Sequence, residues 1–206
     1  MDDFKLKEEG LHADIYESHN TIKKVYDLPK KEAKKNCQLA FKLSQLIPEY
    51  VPKVYYNEAP VLIMEKIQGV TLAQYLHNYE KDQFTVYKIV NSMLQAMLAM
   101  HGAGYSHLDL HSKNIIIVKD FSVKLIDFDT ARKIKRRDED GELLVDSDYI
   151  KMRHHIASLI FLPFKNNIQS VSNTLRLAKK YTARDVIGYT ESPEIATRLY
   201  YIFDTL

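Results

Sequence analysis

The chain has one cysteine, Cys37, among its 206 residues. No internal disulfide can staple it, so its stability rests on a hydrophobic core, and a lone thiol fits a reducing compartment. An excess of charge of either sign is also missing. Lys and Arg number 29 against 27 Asp and Glu, a formal net charge of +2, which leaves no electrostatic footprint for a nucleic-acid partner. Long apolar runs are absent too. Stretches such as 115–118 and 156–164 are too short or too interrupted to span a bilayer. The opening MDDFKLKEEG has no apolar core of the kind a secretory signal needs. There is no internal repeat and no low-complexity linker. These features predict a cytoplasmic protein with no membrane span, and a monomer.

What is present is enough for folding. Hydrophobic residues make up 46% and charged residues 27%, ordinary for a globular chain and enough for one two-lobed domain or two very small ones. The first part reads as strands: Phe4 and Leu6 alternate with lysines, then 13–17 and 21–26 follow across a turn at Ser18, His19 and Asn20. Pro29 suits the first turn of a helix to about Ile47, with Leu39, Leu43 and Leu46 on one stripe. Residues 51–56 and 61–64 are strand-like, Gly69 breaks the run, and Thr71 can cap a short helix over 72–79.

The clearest helix follows, with Val86, Ile89, Val90, Met93, Leu94, Met97 and Leu98 at three-and-four spacing, ending at Gly102 and Gly104. Its methionines, Met100 included, read as core rather than as a ligand site. Strands are expected at 115–118 and 123–126, a solvated loop at 132–140, and helices at 147–161, 171–180 and 193–203. Strands first and helices later give an α+β chain.

The informative stretch is 107–129, HLDLHSKNIIIVKDFSVKLIDFD. Transfer of a phosphoryl group to a hydroxyl needs a carboxylate to orient the acceptor, and hard oxygen ligands for a divalent cation beside the phosphates. Asp109 is a candidate for the first role, Asn114 and Asp127 for the second. A hairpin of the two intervening strands would bring the loop holding Asp109 and Asn114 to the strand end delivering Asp127.

His107-x-Asp109-x-x-x-x-Asn114, followed by Asp127-Phe128, resembles the catalytic loop and metal-binding motif of the protein-kinase superfamily. The resemblance implies a two-lobed fold: a small β-rich N-lobe over residues 1–66 and a truncated helical C-lobe over 67–206, as one minimal kinase domain. It implies ATP with Mg2+, or Mn2+ in its place. Gly10-Leu11-His12-Ala13-Asp14-Ile15 resembles a reduced glycine-rich loop, with Ala13 at a later glycine position and Ile15 at the usual valine. Lys23 and Lys24 both qualify as the nucleotide lysine. Alternation sets Ile22, Lys24 and Tyr26 on one face and Lys23 on the other, and KVYD, which resembles the end of this strand in short bacterial kinases, favours Lys24. The family pairs this lysine with a helix glutamate, for which Glu32 is the candidate, although Gln38 lies nearer the usual distance. Met64 stands in the gatekeeper place, with backbone groups of Glu65 and Ile67 at the adenine and Ile126 beside the metal aspartate.

Three departures stand out. Leu108 replaces the arginine of many regulated kinases, so switching by activation-loop phosphorylation is not expected. His111 replaces a common lysine, with Lys113 two residues on. Asp129 replaces the glycine of the metal motif, an ending (IDFD) that resembles lipopolysaccharide-core sugar kinases; it reads either as an extra acid near the metal or as a damaged site. Asp146 or Asp148 is expected to brace the catalytic loop from below, and Ser192-Pro193-Glu194 to start a helix. The size and the KVYDL ending are similar to minimal kinases secreted by bacteria into host cells. That likeness implies a Ser/Thr protein kinase acting on a protein substrate, with an activating host partner and delivery into the host cytosol. A sugar or small-molecule kinase and a non-catalytic binding module are the alternatives.

Overall fold

The computed structural model describes residues 3–10, 12–79, 82–134, 139–161 and 193–205. The N-terminal part is a five-stranded antiparallel sheet of β1 (Lys5–Glu9), β2 (Ala13–Glu17), β3 (Thr21–Tyr26), β4 (Val54–Tyr56) and β5 (Val61–Glu65), in the order β1-β2-β3-β5-β4. Between β2 and β3, the Ser18 amide donates to the Thr21 carbonyl at 2.9 Å, closing the expected turn. Ile15 pairs with Lys24, Lys24 with Leu62, and Ile22 with Met64. Directly paired residues share a sheet face, so Ala13, Ile15, Ile22, Lys24, Tyr26, Leu62 and Met64 lie on one side.

Helix α1 (Lys30–Leu46) crosses this sheet. Pro29 is its N-cap rather than its first helical residue. Ala33, Cys37 and Ala40 meet the sheet in a small core with Ala13, Tyr26, Val54 and Leu62, while Leu39 and Leu43 join the larger core. Leu46 departs from the expected stripe and is exposed. The helix ends there, and Ile47, with non-helical backbone at φ −137° and ψ 54°, is buried in its place. Strand β4 begins at Val54 rather than Val51, since Pro52 offers no ladder donor and Val51 is instead buried in the core.

Gly69 does more than break a run. With Val70 and Thr71 it forms β6 (Gly69–Thr71), paired with β8 (Ile115–Val118), which pairs in turn with β9 (Val123–Leu125). A Cβ on Gly69 would sit 2.4 Å from the Ile117 carbonyl oxygen, so only glycine permits this approach. Thr71 then closes a capping box with Gln74 on α2 (Leu72–Asn78). Helix α3 (Gln83–Gly102) is capped by Asp82, and Met93, Met97 and Met100 all pack into the main core.

The charge-rich stretch carries regular structure at both of its described ends. Strand β10 (Arg132–Lys133) pairs with β7 (Tyr105–Ser106), and α4 (Glu139–Phe161) starts well before residue 147. Acidic residues and Gly141 in its first turns hide that start from a periodicity argument. The helix expected over 171–180 lies outside the described residues. Pro193 does begin a helix, α5 (Pro193–Tyr200), which continues as a π-helical turn, Tyr201–Thr205. Among the described residues no helix is long and apolar enough to cross a membrane.

Candidate active site

The loop after β7 is fixed from beneath by one carboxylate. Asp148 of α4 is fully buried, and it accepts from the backbone amides of His107 and Leu108 at 2.8 Å each and from the Ser106 hydroxyl at 2.6 Å. His101 Nε2 adds a contact at 3.0 Å. Burial pushes this acid up, but the donors outweigh it and hold it below the ordinary carboxylate value. Of the two expected candidates Asp148 is therefore the brace, while Asp146 accepts from the Tyr201 hydroxyl.

His107 is also fully buried. Its Nε2–H donates to the Ile126 carbonyl at 3.0 Å, and its Nδ1 accepts from the Asp109 amide at 3.3 Å. Burial depresses its pKa, keeping the ring neutral. One imidazole thus ties the loop to the chain just before Asp127. The Ile126 amide donates to the Asn114 carbonyl at 3.0 Å, which carries the β8–β9 pairing one residue past the end of β9 at Leu125. Asn114 Nδ2 donates to the Asp109 carbonyl at 2.9 Å and to its carboxylate at 3.2 Å, turning the amide oxygen away from Asp109. Leu108 and Asp127 have left-handed backbones, at φ 66° and 63°. Such conformations cost non-glycine residues energy and persist where surrounding contacts over-determine them.

From the N-terminal sheet comes Lys24, nearly buried, with Nζ 2.9 Å from Asp127 Oδ1 and 2.6 Å from Asp129 Oδ2. Burial alone would lower its pKa, but the two carboxylates outweigh burial and raise it. The Tyr26 ring lies 5.0 Å from the ammonium, and its hydroxyl donates to Asp129 Oδ1 at 2.8 Å. Burial first, then Asp129, drives the Tyr26 phenol pKa upward. Lys23 lies on the opposite face against the rings of Phe4 and Tyr16. Alternation along β3 therefore assigns Lys24 to the cleft.

The sequence model of one family, described as protein kinase domain, matches residues 18–152. The chain belongs to the protein kinase family. It is 32% identical over 112 residues to the mitosis inhibitor protein kinase SWE1 of Candida albicans, covering 53% of this chain and 9% of that one. It is 29% identical over 115 residues to citron rho-interacting kinase of Rattus norvegicus, covering 52% and 6%. It is 31% identical over 74 residues to the serine/threonine-protein kinase cds1 of Schizosaccharomyces pombe, covering 35% and 16%. The match thus spans a small fraction of each of these relatives. Protein kinases in general use ATP with Mg2+.

The other sequence candidates fall into three groups. Ala13, Ile15, Ile22 and Met64 share the sheet face that carries Lys24, and all but Ala13 are half-exposed there. Gly10 makes a tight turn: its amide donates to the Ala13 carbonyl at 3.1 Å, and a Cβ would lie 2.5 Å from that oxygen. Around the linker, the Glu65 amide donates to the Lys53 carbonyl and the Lys66 amide to the Asn20 carbonyl, while the Glu65 carboxylate accepts from the Lys53 amide. The Glu65 side chain is thus engaged with the strand edge, and Ile67 is half-buried just beyond.

Glu32 requires correction. It sits exposed in the first turn of α1, and the carboxylates on Lys24 are Asp127 and Asp129. The sheet-facing positions of α1 are Ala33, Cys37 and Ala40, a face that the exposed Glu32 does not share. Gln38 is exposed as well.

Sequence reasoning missed the partnership of Tyr26 with Asp129, although the inward alternation of Lys24 and Tyr26 was a usable signal. It also missed Ile116, half-exposed between buried Ile115 and Ile117. Ile116 pairs with Lys124, whose ammonium reaches the Pro48 carbonyl at 3.0 Å, so this face of β8 and β9 looks toward the N-terminal part. His111 Nε2 lies 3.5 Å from the Asp109 carboxylate.

Proposed function

We propose that this chain transfers the γ-phosphoryl group of Mg-ATP to a serine or threonine hydroxyl of a macromolecular partner, working as one domain whose lobes meet near residues 66 and 67. The observation that carries this reading is the meeting of Lys24 with Asp127 across the sheet and the catalytic loop, 2.9 Å apart. Asp109 and Asn114 are hydrogen-bonded to each other beside them. Asp109 would accept the hydroxyl proton and orient the acceptor, a positioned carboxylate contributing about 10²–10⁴-fold. Lys24 would neutralise phosphate charge. The cleft face with Ala13, Ile15, Ile22, Met64 and Ile126, and the backbone of Gly10, Glu65 and Ile67, would receive the nucleotide.

The donor set suits magnesium. The Asp127 side chain is 43% exposed, and the Asn114 amide oxygen faces away from Asp109. One carboxylate and one amide oxygen match an ion that takes most of its remaining ligands from phosphates and water. Bound there, the ion would offset the negative charge of the phosphates.

Incubation with labelled ATP, magnesium and cell lysate tests the reading. A labelled protein band is expected, and Asp109→Ala and Asp127→Ala should abolish it. Unchanged labelling in either variant overturns the assignment. A second reading, a sugar or other small-alcohol acceptor, is favoured by Leu108 in the arginine position and by the acidic Asp129. It predicts ATP turnover with added glycans and no labelled protein. Mg-ATP binding without turnover on any acceptor would instead make the chain a non-catalytic binding module.

A further inference from the structure

Lys24 is buried and held by anions, yet no carboxylate on α1 reaches it. The buried positions of α1 are Ala33, Asn36, Cys37, Leu39, Ala40, Leu43 and Ser44, none of them acidic. Both anions on Lys24 come instead from the stretch after β9, and the two differ. Asp127 is the more exposed, at 43% of its side chain against 27% for Asp129. Asp129 has both oxygens committed to β3: Oδ2 takes the Lys24 ammonium at 2.6 Å and Oδ1 takes the Tyr26 hydroxyl at 2.8 Å. Lys24 and Tyr26 are two residues apart on one strand and point to the same face. A carboxylate fixed at both oxygens in this way is directed at β3 rather than at a cation between Asn114 and Asp127. That geometry fits neither an extra acid at the metal nor a damaged site, the two sequence readings of the substituted glycine.

We infer that Asp129 is the positioning residue for Lys24, supplying from within the loop the counter-charge that a helix glutamate would otherwise provide. This rests on the phosphotransferase reading above. The 2.9 Å contact with Asp127 is the one exchanged when phosphates arrive, and the contact with Asp129 persists. Lys24 is then aimed by its own strand and by the loop, so its orientation does not depend on where α1 sits. Tyr26 acts through Asp129, holding the carboxylate at the correct angle.

A double-mutant cycle on Mg-ATP affinity, measured by calorimetry on the full chain, tests this. Lys24→Met and Asp129→Asn are each expected to weaken binding about tenfold, the scale of one charge-assisted contact. The double variant should be no weaker than Lys24→Met alone, because Asp129 acts only through the lysine. Losses that multiply, or an Asp129→Asn variant that binds as wild type does, overturn the inference. A purely structural role would not be rescued by moving the charge, so Asp129→Gly combined with Cys37→Glu should recover affinity relative to Asp129→Gly. Should Asp129→Asn fail to fold, Tyr26→Phe frees one carboxylate oxygen and should weaken binding about threefold; wild-type affinity there overturns the inference. Failure of the wild-type chain to bind Mg-ATP overturns the phosphotransferase reading itself.

Discussion

The two halves of the molecule are built to different standards of rigidity. The N-terminal sheet rests on a small core of Ala13, Tyr26, Ala33, Cys37, Ala40, Val54 and Leu62, and its first strand is exposed throughout. The C-terminal half surrounds α3 with a continuous aliphatic core, and beneath its catalytic loop lies a buried carboxylate with four polar contacts. Thin sheets open at lower free energy than deep cores. Asp109, Asn114 and Asp127, to which the proposed mechanism assigns a fixed geometry, stand on the well-packed half. Lys24, which in that proposal follows the phosphates, stands on the thin one. Position is guaranteed where the chemistry needs it, and the only charged link between the halves at the cleft is Lys24 with Asp127 and Asp129 among the described residues.

If that division is correct, changes at the link and changes in the support separate cleanly. The largest effect is expected at Asp127. Asp127→Ala should lower turnover by about 10³-fold or more, the scale of a lost positioned charge in the transition state. Its melting temperature should move by only a few degrees, since the side chain is substantially exposed. Loss of both activity and fold would break the comparison, because the link would then also be structural.

Asp148→Ala should behave in the opposite sense. It strands buried donors on Ser106, His107 and Leu108, and breaking such a network costs about 3–5 kcal/mol. In a chain of this size that lowers the melting temperature by roughly 10 °C. Turnover should fall at temperatures where the protein is still folded, as the loop carrying Asp109 loses its support. A stable, active Asp148→Ala variant would mean the loop is held by something other than the buried carboxylate.

Much of this was legible in the sequence, and the exceptions share a cause. The strand boundaries of β2 and β3 follow from alternation, and the Asp109, Asn114 and Asp127 spacing follows from a loop joined to a hairpin. Those are local rules. Glu32 failed because the side of α1 that meets the sheet is set by how far the helix rolls on its neighbours, which no local pattern records. The start of α4 was lost for a similar reason: residues 139–146 are too polar for a periodic signal, yet Asp148 two turns on is buried and satisfied. Asp129 was visible as a departure from the family pattern. Its role was not, because it depends on a tyrosine more than a hundred positions away in sequence meeting it in space.

A smaller effect should follow from pH. His107 and His155 both have pKa values depressed by burial, His155 to about 4. Because the folded form prefers neutral rings, their contribution to stability is complete above pH 6.5 and is lost as pH falls from 6.5 through the folded values. Both support the catalytic loop, His155 by donating to the Leu110 carbonyl at 2.8 Å. Urea midpoints at pH 7.5 and 4.5 should therefore differ, with His155 accounting for about 1–2 kcal/mol, since its residue surface is only half-buried. In His155→Gln, where the amide can still donate to Leu110, that part of the difference should vanish. Asp148, held below its ordinary value, adds its own loss only below about pH 4.

The smallest change tests whether the support half tolerates damage away from the brace. Thr71→Ala removes the capping box of α2 and should cost about 1 kcal/mol. Helix α2 is tied to the catalytic loop by the Ala73 amide, which donates to the Ser112 carbonyl at 3.0 Å. A loss that spread along this tie would lower turnover as well as stability. The expectation is that it does not. Asp148 holds His107 and Leu108 before Asp109, and His155 holds Leu110 after it, independently of α2, so the melting temperature should drop by about 2–4 °C while turnover stays within about twofold of wild type. A larger fall in turnover would show that the loop takes its position partly from α2, and the rigidity credited to the brace beneath it would then have to be shared.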